Sequence, residues 1–294
     1  MKFLVVSRIS IPERDRTLPA WEYFRSLGHE VWVEHPGSNS IPSRPDVLIS
    51  MGVTVMEETF AALTRFPNVP LFCYNWDVYA WVWDRPRPGE YDYRRYGELL
   101  RQAREVWVPS RCTGRRTRQW FGLTNWHVIL SACPWWDWPE DNILDKGYIL
   151  CSLREIPDPY WGRLERACAE LDLPLRMTRH ECSYAEYQQA VVHCRFLCSP
   201  LYELSTGGLT LLEGYYHGKP CLLSDSPWHG GRDYLGNRAT YFRHDDEGDL
   251  RAALQTMYQR PERLDLAECR AWVKENYSDQ RMAEDMLRRI YRGP

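Results

Sequence analysis

Residues 198–221 read Cys-Ser-Pro-Leu-Tyr-Glu-Leu-Ser-Thr-Gly-Gly-Leu-Thr-Leu-Leu-Glu-Gly-Tyr-Tyr-His-Gly-Lys-Pro-Cys. A strand-like run, Cys194 to Cys198, meets a polar turn, and an apolar stretch ending at Glu213 follows the pair Gly207-Gly208. Ser205 or Thr206 is placed to cap the helix that this stretch predicts, and the two glycines let the backbone approach a ligand closely. A helix N-terminus with unsatisfied N–H groups is an anion site, and phosphate is the usual anion. Gly218 stops the helix, and Lys219-Pro220 leads into a new apolar strand, Cys221-Leu222-Leu223.

The same alternation of short apolar runs and amphipathic stretches extends outward on both sides, which predicts α/β units around parallel sheets. Towards the C-terminus, a strand is expected over Ala239–Phe242, and two terminal helices near Asp249–Gln259 and Ser278–Tyr291. Towards the N-terminus, Gly147–Leu153, Pro174–Met177 and Val191–Cys198 read as strands, with helices over Tyr160–Leu171 and Tyr184–Ala190. Residues 134–146, with Pro134, Pro139 and an Asp-Asn turn, read as a linker. Before it comes a second α/β series. Its strands are expected at Lys2–Ser7, His29–Glu34, Val47–Ser50, Pro70–Tyr74, Glu105–Val108 and Trp126–Leu130, with helices over Pro19–Leu27, Glu57–Arg65, Tyr93–Ala103 and Arg111–Phe121.

The 198–221 signature resembles the sugar-nucleotide site of retaining glycosyltransferases of the GT-B fold, in particular their family 4. Glu213 matches the glutamate that in the family holds the nucleotide ribose. Gly208 and Leu209 match the backbone that meets the diphosphate, and Gly218-Lys219-Pro220 matches a Gly-x-Pro step. The Gly28-His29-Glu30-Val31 run is similar to the turn after the first helix of such enzymes. The resemblance implies two facing Rossmann-like domains with parallel sheets. These are an acceptor domain over 1–133, a nucleotide-sugar domain over 147–277, and a C-terminal helix over 278–294 that crosses back to the first domain. One position departs from the pattern. The family's first glutamate falls at Ser205, with Glu203 two residues early. Either Glu203 reaches the sugar through an adjustment of the loop, or the sugar goes without a carboxylate there.

The implied chemistry is transfer from a nucleotide sugar, expected to be a UDP-sugar, with no metal and no further cofactor. The departing diphosphate needs positive charge or helix N-termini. Arg154, after the first strand of the second series, matches the family's arginine. The lysine expected five residues later is Pro159, which leaves Arg163 or Arg232 to supply a second charge. Thr178, Arg179 and His180 follow the strand beside which the nucleotide base is expected. Ser205, Thr206 and Gly207 complete the donor set. Asp77, in Cys73-Tyr74-Asn75-Trp76-Asp77, stands where the family carries a histidine-bearing loop. It is the candidate base near the acceptor, with Trp76 beside it.

The acceptor is open at this level. Residues 94–118 hold eight arginines against Glu98 and Glu105, a net of +6 in a chain whose net charge is −3. Arg111, Arg115 and Arg118 share a helical face. Arginines among aromatics suit a phosphate backbone and an exposed base. A glycan, lipid-linked or small-molecule hydroxyl is one class of acceptor. The hydroxymethylated pyrimidines of bacteriophage DNA are another, which compact enzymes of this type are known to glycosylate. A non-catalytic nucleotide-sugar or nucleic-acid binding module is the third reading. An epimerase on the same fold would need a set of cleft carboxylates that the sequence does not offer.

The composition is that of a globular chain: 294 residues, 26% charged, with signs mixed. Ten cysteines lie scattered, several in apolar runs and none in a Cys-x-x-Cys pair. That pattern predicts reduced, buried thiols in a cytoplasmic protein, or one working in the host cytoplasm if viral. No apolar run reaches membrane-spanning length. Met1–Ile9 reads as a strand and not as a signal peptide.

Overall fold

The computed structural model describes residues 1–7, 18–34, 43–75, 92–132, 145–152, 159–178, 182–200 and 209–292. The chain divides into two compact units. One comprises Met1–Ala132 and Tyr277–Pro294, the other Cys133–Asn276.

The first unit holds a six-stranded sheet. In chain order its elements are β1 (Lys2–Val6), α1 (Leu18–Ser26), β2 (Glu30–Glu34), β3 (Val47–Ser50), α2 (Met56–Arg65) and β4 (Leu71–Tyr74). They continue with α3 (Tyr93–Gln102), β5 (Glu105–Val108), α4 (Arg111–Phe121) and β6 (Trp126–Val128). The strand order is β2-β1-β3-β4-β5-β6, all parallel. Strands buried on both faces must be apolar at nearly every position, and β1, β3, β4 and β5 are. Successive side chains point to opposite faces, so each strand feeds two cores. Leu4, Val6, Leu48, Leu71, Cys73, Val106 and Val108 pack with α2, α3 and α4. Phe3, Val5, Val47, Ile49, Phe72, Tyr74 and Trp107 pack on the other face against α1 and the last helix of the chain.

The second unit holds a five-stranded parallel sheet of order β11-β10-β9-β7-β8. Its elements are β7 (Ile149–Ser152), α5 (Pro159–Glu170), β8 (Leu175–Thr178), α6 (Tyr184–His193), β9 (Phe196–Ser199), α7 (Leu209–Tyr216) and β10 (Cys221–Ser224). Then follow α8 (Gly231–Leu235), β11 (Thr240–Phe242), α9 (Glu247–Gln259) and α10 (Leu266–Asn276). One face of this sheet packs on α5 and α9 through Leu164, Cys168, Leu250 and Leu254. The final helix, α11 (Asp279–Arg292), returns to the first unit, as the resemblance implied. It buries Met282, Ala283, Met286, Leu287 and Ile290 in that unit's core, and Arg289 pairs with Glu105 of β5.

Two local expectations are corrected. The run 191–198 is not one strand. Ser183 and Glu186 form a reciprocal capping box that starts α6, and the helix continues through His193, so β9 begins only at Phe196. The C-terminal region also has a third helix, α10, and α8 follows β10; neither was anticipated. None of the nine described cysteines is in a disulfide, and eight of them are buried.

Candidate functional site

In the second sheet, β8 is added on one side of β7 and β9 on the other. The order of strand addition therefore reverses between β7 and β9. Ligands of open parallel sheets bind outside the carboxyl ends of the strands at such a reversal. Four strands present a hydroxyl residue as their last: Ser152, Thr178, Ser199 and Ser224. Helix α7 follows β9 and starts from that same edge, its N-terminus aimed there.

Glu213 lies in the second turn of α7 and is fully buried, at 0% exposure. A buried carboxylate is costly without a donor. One donor is the phenol of Tyr187 on α6, which hydrogen-bonds Glu213 Oε2 and lies 3.0 Å from Thr210 Oγ1. The phenol carries one proton, and the carboxylate is the stronger acceptor. The phenol proton therefore goes to Glu213, with Thr210 Oγ1 within hydrogen-bond distance of the same phenol oxygen.

The frame around this carboxylate is tight. Gly214 abuts β9 so closely that a Cβ there would stand 2.2 Å from Leu197 Cδ1. Gly218, with φ of +68°, ends α7. The Lys219 N–H donates to Gly214 O and the Gly218 N–H to Tyr215 O, which satisfies the last carbonyls of the helix. Lys219 itself lies at the amino edge of the sheet, just before β10. Burial lowers its pKa, with the Cys194 thiol and Asp145 acting in the opposite sense. The lysine of the Gly-Lys-Pro step is therefore on the edge opposite the ligand side.

A second buried contact sits at the end of β9. His229 is 3% exposed, and its Nδ1 accepts the Gly231 N–H at 2.9 Å. That assignment leaves the ring proton on Nε2, which donates to Ser199 Oγ at 2.9 Å. Burial pushes the His229 pKa down to about 4, so the ring is neutral. Thr178, at the end of β8, is 4% exposed, and its hydroxyl has no partner among the described residues.

Among the expected donor residues, Thr178, Leu209 and Glu213 are described, and all three belong to elements that meet the carboxyl edge of the second sheet. Arg154, His180, Glu203, Ser205, Thr206, Gly207 and Gly208 lie outside the described residues, as do Trp76 and Asp77. Of the two arginines considered for the second charge, Arg163 pairs with Glu247 of α9 at 3.4 Å. Arg232, in α8, stacks over the Tyr241 ring.

In the first unit, Asn75 directly precedes Trp76 and is 1% exposed. It takes a hydrogen bond from Tyr96 at 3.1 Å and donates to Thr117 at 3.0 Å, so the segment carrying Asp77 starts from a fixed point. Helix α4 begins at a Ser110 cap, buries Cys112, Thr113, Thr117 and Phe121, and exposes Arg111, Arg115 and Arg118. The basic run is less open than its charge suggests. Arg95 pairs with Glu57 at 2.7 Å, Arg104 lies over Phe72 and Arg116 over Trp120. Among the described residues no group of three or more His, Cys, Asp or Glu is placed to hold a metal ion, and no helix is long and apolar enough to cross a membrane.

Tyr187, Thr210, Ser199 and His229 were not anticipated as site residues. Ser199 and Thr210 stand inside the signature and could have been marked. Tyr187 and His229 become visible only when α6, β9 and the turn before α8 are brought together.

No family model matches the chain, and no curated protein matches it in sequence. Solved structures do match in fold. A glycosyltransferase from Rickettsia africae ESF-5 superposes with a TM-score of 0.64 at 11% identity, over 98% of this chain and 97% of its own. HepE from Anabaena, solved in complex with UDP and glucose, gives 0.63 at 12% identity, over 99% of both chains. The lipopolysaccharide outer core galactosyltransferase WaaB in its apo form gives 0.65 at 10%, again over 99% of both. These neighbours are GT-B glycosyltransferases, and the chain has their two-sheet α/β fold.

Proposed function

We propose that the chain is a retaining, nucleotide-sugar-dependent glycosyltransferase that works without a metal ion. A UDP-sugar is the donor, and a glycan, lipid-linked or small-molecule hydroxyl is the acceptor. The observation that carries this reading is Glu213. It is a fully buried carboxylate on the helix that follows the reversal strand, held by a phenol, at the position where the resemblance puts the ribose ligand. That HepE has been solved with UDP and glucose supports the same donor class.

In the proposed reaction the bond between the anomeric carbon and the diphosphate oxygen breaks. The acceptor oxygen forms its bond on the same face, and its proton passes to the departing phosphate. Charge on the diphosphate is met by the N-terminus of α7 and by Arg154. Glu203, in place of the displaced first glutamate, is proposed to contact the sugar. Asp77 is proposed to assist the acceptor proton, and the segment 178–180 to border the base.

The test is calorimetric titration with UDP, followed by turnover with a panel of UDP-sugars. Wild-type protein should bind UDP, and Glu213→Ala should bind it at least about tenfold more weakly while keeping its circular dichroism spectrum, a loss typical of a hydrogen bond to a charged group. Unchanged binding in that variant would remove Glu213 from the site. Binding with no turnover of any donor would favour the binding-module reading.

A second acceptor reading is favoured by α4, where Arg111, Arg115 and Arg118 are all exposed on one face. Such a face suits a DNA backbone, with the modified base flipped out to react. The chain would be incubated with nucleotide sugars and DNA containing hydroxymethylcytosine or hydroxymethyluracil, and the digested nucleosides weighed by mass spectrometry. A hexose- or pentose-sized gain on the base establishes the DNA acceptor. No gain, with diphosphate still released, returns the acceptor to the first class.

A further inference from the structure

We propose that Tyr187 is a positioning residue for the donor's ribose, acting through Glu213. The proposal rests on Glu213 being the ribose ligand. Its ground is a relay of contacts that crosses two helices, in which the Tyr187 phenol meets both Glu213 Oε2 and Thr210 Oγ1.

Each part of the relay is held from behind. Helix α6 starts at the reciprocal Ser183–Glu186 capping box, which fixes the turn just before Tyr187. Helix α7 is seated on β9 by the close approach of Gly214 to Leu197, and it presents Thr210 and Glu213 on one side of the helix, three residues apart. The phenol therefore reaches a carboxylate on a helix that lies directly against β9. A glutamate side chain has three rotatable bonds, and freezing them on binding weakens affinity. A phenol that already holds Oε2 removes most of that loss, because the carboxylate is set before the nucleotide arrives. The ribose diol then donates to an acceptor whose orientation is fixed, which is what a supporting shell of hydrogen bonds provides in a binding site.

A purely structural role predicts something different. If Tyr187 only satisfies a buried charge, its loss lowers stability and weakens every nucleotide equally. If it positions Glu213 for the diol, its loss weakens only ligands that have a diol. The discriminating quantity is the ratio of affinities for a ribonucleoside diphosphate and its 2′,3′-dideoxy analogue.

The experiment measures that ratio by calorimetry for wild type, Tyr187→Phe, Thr210→Val and Glu213→Gln. The probe is whichever of UDP, GDP and ADP the wild type binds most tightly, with the matching dideoxy nucleotide. Wild type should prefer the ribonucleotide about 10- to 100-fold, the range of a hydrogen bond to a charged group. Y187F should lower ribonucleotide affinity about three- to tenfold and leave the dideoxy affinity unchanged, so the ratio falls. T210V should move the ratio in the same direction by less. A folded Y187F with the wild-type ratio, or one that weakens both nucleotides equally, overturns the proposal. If Y187F does not fold, T210V decides, and an unchanged ratio there overturns it too. E213Q separates the two levels. When E213Q also keeps the ratio, the ribose reading has failed; when E213Q loses it and Y187F keeps it, only the role of Tyr187 has.

Discussion

His229 makes the end of β9 sensitive to acid. Its ring is buried between the Gly231 N–H and the Ser199 hydroxyl, and burial holds its pKa near 4 against an ordinary value of 6.5. His217 is also lowered to about 4, first by burial and then by Arg270 and Lys219. For both, the unfolded chain binds a proton between pH 6.5 and 4 that the folded chain does not. Stability therefore falls as pH drops through that window, by up to about 3 kcal/mol per histidine at 1.36 kcal/mol per pKa unit. Asp279 has the opposite sign. Burial raises it to about 6, so it favours the folded state as pH falls from 6 towards 3.8, and it offsets part of the loss. Urea midpoints at pH 7, 5.5 and 4.5 should decline, and His229→Gln should flatten the decline. An equal slope in both proteins would mean that His229 does not set it. Gly214 offers a sharper steric case. Alanine is the better helix former by about 1 kcal/mol. Its Cβ would nonetheless meet Leu197 Cδ1 at 2.2 Å, and overpacking of this kind costs about 1–3 kcal/mol. The clash should win, and Gly214→Ala should lower the denaturant midpoint. A higher midpoint would show that Leu197 moves aside.

At the level of elements, helix α4 was legible to the residue. Ser110 accepts the Thr113 N–H and Gly122 closes the helix at φ of +69°, so both ends carry their own chemistry. The strand expected over 191–198 was not legible, because Val191-Val192 has strand character locally. A start signal at Ser183-x-x-Glu186 and the burial of Ala190, Val191 and Val192 carried the helix past them. Helix α10 was missed for another reason. Only Cys269 and Val273 are buried along it, and two residues make a stripe too narrow to read. The candidate site divides in the same way. Glu213 and the glycines stand in one contiguous stretch, whereas Tyr187 is 26 residues from its carboxylate and needs the register of α6. The exposed face of α4 carries its own prediction. Replacing Arg111, Arg115 and Arg118 together by alanine removes charge from a solvent-facing surface, so the melting temperature should change little. If DNA docks on this face, the slope of log affinity against log salt should become shallower by roughly 0.9 for each phosphate that the variant no longer neutralises. DNA affinity with an unaltered salt slope would exclude α4 as the docking face.

At the scale of the whole chain, two units are built from one continuous sequence, and the first is completed last. Strands β1 to β6 supply one unit by residue 128, yet one face of their sheet is covered only in part, by α1, until α11 arrives about 150 residues later. Met282, Met286, Leu287 and Ile290 are each buried there, and Arg289 reaches Glu105, which also accepts from the Trp107 indole at 3.1 Å. Four large apolar side chains at about 1.5–3 kcal/mol each sum to roughly 6–12 kcal/mol. That is comparable to the entire stability of an ordinary domain. Ending the chain after Ser278 should therefore unfold the first unit. The second unit, Cys133–Asn276, keeps every residue of its own core and should stay folded. Hydrogen exchange read by mass spectrometry separates the outcomes. In the shortened chain, peptides from β1, β3 and β4 should lose protection, while those from β7, β9 and β10 retain it. Loss of protection in both sets would show that the second unit depends on the first, and retention in both would show that α1 to α4 hold the first sheet without α11. The donor site proposed here lies on elements of the second unit, so the shortened chain should still bind nucleotide with near wild-type affinity even where it no longer transfers sugar.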